Sequence, residues 1–89
     1  MQKLKETIEV RGEGIKGVVS TLVFRTNNKF IYKRSDGYYE VFKRRTRKEG
    51  KVFGVDMPER EVYPGNNDFG DWAWCISDYD RAISKYNAL

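Results

Sequence analysis

Gly12-Glu13-Gly14-Ile15-Lys16-Gly17 has the spacing of a phosphate-cradling loop, G-x-G-x-x-G, and Val19 extends the match to the glycine-rich loop of protein kinases. Asp68-Phe69-Gly70 spells the triplet with which a kinase holds its metal. Neither match has its context. A kinase needs far more chain than 89 residues and an H-R-D catalytic loop, and this sequence contains no histidine. A dinucleotide fingerprint needs a helix directly after the glycines, whereas Val18-Val19-Ser20-Thr21 favours a strand. The glycines read as a flexible connection between strands.

Asn66, Asn67, Asp68 and Asp71 bring oxygen ligands close together. Their spacing fails the twelve-residue calcium-loop pattern and supplies no closing bidentate Glu, so the segment reads as a turn held by Asx hydrogen bonds. The single cysteine, Cys75, lies between Trp74 and Ile76 and is expected to be a buried, inert thiol. One cysteine forbids an internal disulfide and favours a reducing, cytoplasmic setting. Without histidine the chain lacks the commonest general base and transition-metal ligand, which removes zinc-finger, metalloprotease, Cys-His and Ser-His-Asp readings together. The expectation is a protein without catalytic residues, metal or cofactor.

Charge carries more information. Residues 25–51 hold ten cations and three anions, and residues 52–80 hold one cation and seven anions. The overall +4 conceals this split. Lys43, Arg44, Arg45, Arg47, Lys48 and Lys51 crowd around one Glu, flanked by aromatic-rich arms, the footprint of a surface that grips nucleic acid or a partner handling it. The bland alternative is a charged tip that keeps a sheet edge from pairing. The acidic segment 56–72 offers a second surface through Asp56, Glu59, Glu61, Asp68, Phe69 and Asp71. Whether it folds back over the basic arms or forms a separate face is open at this point.

These residues must be positioned by one domain spanning residues 1–89, because so short a chain cannot divide its core. Short β-branched and aromatic runs at Ile8–Val10, Val18–Arg25, Lys29–Arg34 and Tyr38–Thr46 are separated by Asn27-Asn28 and Ser35-Asp36-Gly37. Asp-Gly between apolar runs is a hairpin signal, since Gly accepts the positive φ of a tight reversal. A third turn at Arg47 to Gly50 would return Lys51 to Val55 against Tyr38–Thr46, so that the cations cap a hairpin. Pro58, Pro64 and Gly65-Asn66-Asn67 mark a long loop with a short strand at Arg60 to Tyr63. Asp71 to Ile76 reads as a strand whose buried set is Trp72, Trp74 and Ile76, with Phe69 or Trp72 as an exposed anchor in the competing view. Ser77 and Asp80 approximate a capping box for a helix with Tyr79, Ala82, Ile83 and Tyr86 on one stripe, and Arg81, Lys85 and Asn87 opposite. The fold class is α+β: a four- to five-stranded antiparallel meander covered on one face by a single C-terminal helix. The N-terminus has no apolar signal region and no run is long enough to span a membrane.

From Tyr39 to Leu89 the chain resembles a family of small uncharacterised bacterial and phage or mobile-element proteins. The resemblance lies in Tyr39-Glu40-Val41-Phe42-Lys43, Glu61-Val62-Tyr63-Pro64, Asp68-Phe69-Gly70 with Ala73-Trp74, and the closing amphipathic helix. It implies an accessory protein of a mobile genome that acts by binding, with no catalytic residues to carry over. The expected function is thus a small non-enzymatic binding module that engages nucleic acid, or a nucleic-acid-handling protein, through the basic hairpin. The alternatives are an anti-defence protein inhibitor acting through segment 56–72, or a structural homodimer that pairs sheet edges. No small-molecule substrate or membrane partner is indicated.

Overall fold

The computed structural model describes residues 2–10 and 17–89, so the glycine-rich match between Gly12 and Lys16 lies outside the described residues. Strands β1 (Thr7–Glu9), β2 (Val19–Arg25), β3 (Lys29–Arg34) and β4 (Tyr39–Lys43) form an antiparallel meander. The β3–β4 reversal falls on Asp36-Gly37, where Gly37 takes φ +99° and its N–H donates to the Arg34 carbonyl at 3.1 Å. The chain then leaves the sheet through β5 (Thr46–Arg47), β6 (Gly50–Val52), β7 (Val55–Met57), β8 (Arg60–Glu61) and a 3-10 turn at Asn66–Asp68. It returns as β9 (Ala73–Ile76), antiparallel to β4, and completes a five-stranded sheet of order β1-β2-β3-β4-β9. Helix α1 (Tyr79–Ala88) closes the chain.

Both faces of the sheet are buried, where the sequence suggested one. Phe30, Tyr32 and Phe42 stack on one face with Trp72 and Ala73, and Ile31 and Val41 meet Ala82 and Tyr86 of α1 on the other. The apolar residues of β3 and β4 run consecutively, the pattern of a strand covered on both sides. The second cover is the N-terminal segment, with Leu4 and Ile8, together with Val62, Tyr63 and Phe69 of the excursion. Ile83 packs against the Ile31 and Val41 cluster, on the expected side of the helix. The helix cap is Asp78 instead of Ser77: its side chain accepts from the Asp80 N–H at 3.0 Å, satisfying an N–H that the helix cannot. Lys85 does not stand clear of the core side, since its ammonium lies 3.9 Å from the centre of the Trp74 ring.

The tryptophans do not share a face. Trp72 precedes β9 in a turn set by Gly70 at φ +92° and packs edge-on to Phe42, whereas Trp74 sits opposite Val41 within β9 and lies beside the helix. Strand alternation cannot extend across that turn.

The expected third hairpin is replaced by two smaller ladders. β5 pairs with β8, and β6 pairs with β7 around Phe53-Gly54. β4 has β3 on one edge and β9 on the other, so it offers no edge to Lys51–Val55. Phe53 at φ +50° and Gly54 at φ +78° supply the consecutive left-handed residues of a tight two-residue reversal, which places the turn there instead of at Arg47 to Gly50.

Candidate functional site

Apart from Lys43 at the end of β4, the excursion between β4 and β9 carries the residues singled out by charge, and one buried carboxylate organises it. Glu61 is 4% exposed. Arg25 donates to it through both terminal nitrogens, at 2.9 Å and 2.7 Å, and Arg44 Nε donates at 2.5 Å. The Leu4 N–H adds a fourth contact at 3.0 Å. Burial alone would push the Glu61 carboxyl up, but the hydrogen bonds from Arg25, Arg44 and Leu4 reverse that and bring it down to about 2. Around this pin the N-terminus joins β8, with Gln2 N–H donating to Glu59 O and Glu61 N–H to Gln2 O.

A second buried polar group lies under the same cover. Glu40 accepts from Ser20 Oγ at 3.1 Å and from the Tyr63 hydroxyl. Burial, then the charge of Glu40 and the hydrogen bond to it, raises the Tyr63 hydroxyl far above its ordinary value. These contacts fix the second cover to the sheet.

The expected cations divide accordingly. Arg44 turns inward to Glu61, while Lys43, Arg45, Arg47, Lys48 and Lys51 are exposed. No carboxylate lies within ion-pair distance of those five among the described residues. Arg45 rests over the Trp72 ring at 5.2 Å. Arg47 stands directly across the β5–β8 ladder from Arg60. Like charges directly opposed on one ladder are destabilising, and among the described residues neither arginine has a carboxylate within ion-pair distance. Among the described residues the Arg60 guanidinium finds the Pro58 carbonyl, at 3.4 Å. Arg60 was missed from sequence, although it is the one cation of residues 52–80 and so marks itself by contrast. Beside the ladder lies a cleft of about 270 Å³ lined by Arg45, Arg47, Tyr63, Asp68 and Trp72.

The acidic segment folds back beside the basic one through the β5–β8 and β6–β7 pairings, which answers the geometric question left open by charge alone. Of the alternative contact residues, Asp56, Glu59 and Asp71 are exposed. Glu61 is consumed inside, Phe69 packs half-buried against the aromatic cluster, and Asp68 accepts from the Gly65 N–H at 2.7 Å to close its turn. Cys75 is exposed instead of buried, since it alternates away from Trp74 and Ile76 on an outer strand. Partial desolvation raises its thiol and leaves it a weak nucleophile. Among the described residues no three acidic or thiol side chains converge on a metal position, and no helix is long and apolar enough to cross a membrane. No family model, curated protein or solved structure matches this chain.

Proposed function

We propose that this protein is a nucleic-acid-binding module whose contact surface is the excursion between β4 and β9. The observation that carries this reading is the Arg47 and Arg60 pair, opposed across the β5–β8 ladder with no carboxylate within ion-pair distance of either among the described residues. Two arginines opposed on a ladder repel one another, whereas a phosphate placed between them would accept hydrogen bonds from both forks. Lys43, Arg45, Lys48 and Lys51 extend the positive surface from this pair. These groups contact phosphate as charges and forks, and no helix is presented to a groove. The binding should therefore be salt-sensitive and indifferent to sequence.

Glu61 has a supporting part in this design. By holding Arg25 and Arg44 inside, it fixes β8 against the body, and so sets where Arg60 stands relative to Arg47. The test is fluorescence anisotropy with a labelled oligonucleotide. Arg47→Ala combined with Arg60→Ala should weaken binding evenly across sequences, and Arg81→Ala on the far helix should not. Equal affinities for wild type and the double variant would overturn the assignment of this surface.

A further inference from the structure

Phe53 is fully exposed at the tip of the β6–β7 hairpin and belongs to neither hydrophobic cluster. It also occupies φ +50°, a left-handed conformation that bulky side chains rarely adopt and that Asn or Gly would enter with little strain. Neither packing nor turn chemistry accounts for an aromatic residue there. The tip is nonetheless well held, because Gly50 pairs with Met57, Lys51 with Asp56 and Val52 with Val55 directly beneath it. The result is a ring presented to solvent on a short ribbon, six residues beyond Arg47, with Lys48 and Lys51 exposed between them.

We propose that Phe53 is a stacking platform for an unpaired base, so that the nucleic acid bound by this surface is single-stranded. The inference rests on the nucleic-acid reading above and deepens it. Five of the six cations of residues 43–51 stand exposed with one anion among them, which selects a polyanion as occupant. A phosphate chain running from the Arg47 and Arg60 pair past Lys48 and Lys51 would bring its bases to the tip, where the ring offers a face. A duplex stacks its bases inside and has no such face to offer, while a single strand does. Among the described residues the tip adds exposed Val55 to the ring, and Asp56 follows at once, which does not suit burial in a lipid interface.

The experiment compares a labelled oligo-dT single strand with a blunt duplex of equal length, titrated with wild type, Phe53→Ala and Phe53→Trp. Phe53→Ala should weaken single-strand binding about tenfold and leave duplex binding unchanged. Phe53→Trp should keep the single-strand affinity and show tryptophan emission quenched on binding beyond that of wild type. Arg47→Ala with Arg60→Ala should weaken both ligands. Loss in the arginine variant with no effect of Phe53→Ala on the single strand would overturn the stacking role while leaving the phosphate-binding surface standing. No binding of either ligand by wild type would overturn the underlying reading as well. A blue-shifted Phe53→Trp emission on vesicles of anionic lipid, without quenching by the oligonucleotide, would overturn the proposal in favour of a membrane contact.

Discussion

Glu61→Gln removes the one charge on which the N-terminal segment, the end of β2, the residue after β4 and β8 all converge. The carboxyl lies at about 2 in the folded protein against an ordinary 4.5, a depression that corresponds to about 3 kcal/mol of stability. Breaking a buried ion pair from one side costs about 3–5 kcal/mol, because the partners keep their charges. Here the side chains of Arg25 and Arg44 are 24% and 29% exposed, so water shares the cost and the lower figure applies. Against a total of about 5–15 kcal/mol for a small domain, that loss is large. The sign follows from the depressed value: the contribution is complete above about 4.5 and disappears as pH falls from there to about 2. Urea denaturation followed by Trp72 and Trp74 fluorescence measures it. At pH 7 the variant should be about 3 kcal/mol less stable than wild type, and somewhat more than half of that difference should be gone by pH 3. A difference under about 1 kcal/mol at pH 7, or one that is unchanged at pH 3, would refute the role assigned to Glu61.

Phe42 is fully buried and stacked on Phe30 and Tyr32 at 5.1 Å and 5.7 Å between ring centres, so Phe42→Ala should cost about 3–5 kcal/mol and show as a lost or much lowered thermal transition. Tyr63→Phe removes a donor to buried Glu40 and should cost about 1–3 kcal/mol in the same melt. Burial pushes the Tyr32 hydroxyl up to about 12, so wild type should keep its full tyrosine contribution below pH 10 and lose it between 10 and 12, visible as an alkaline unfolding limb in far-ultraviolet circular dichroism. Phe53→Asn should raise stability by about 1 kcal/mol in urea, since Asn enters the left-handed region more easily and no packing is lost.

The elements legible in sequence were those set by local chemistry. Asp36-Gly37 fixes the β3–β4 reversal, Asn27-Asn28 precedes β3, and the Tyr79, Ala82, Ile83 and Tyr86 stripe meets the sheet. What stayed hidden depends on pairings distant in the chain. β9 reaches β4 across some thirty intervening residues and so displaces the adjacent candidate, Lys51–Val55, from that edge. The Phe53-Gly54 reversal is not legible because a bulky residue such as Phe rarely takes a positive φ, whereas Glu49-Gly50 within the charged run offers a glycine at which to turn the chain. The covered second face was written in the unbroken Phe30-Ile31-Tyr32 and Val41-Phe42 runs, which alternation alone does not interpret. Five cations of the basic run stood at the surface as charge patterning suggests, but Arg44 and Glu61 were claimed by one another. No local pattern distinguishes a carboxylate destined for a buried ion pair from its exposed neighbours.

The most direct measurement of the proposed function is the salt dependence of single-strand binding. Anisotropy titrations across a range of sodium chloride should give a linear fall of log affinity with log salt, steeper by about 0.7 for each phosphate contact made. Arg47→Ala with Arg60→Ala should flatten that line by about 1.4 units while thermal stability stays within about 0.5 kcal/mol of wild type. Absence of binding by wild-type protein at low salt, or a slope that the double variant leaves untouched, would contradict nucleic-acid recognition by the excursion.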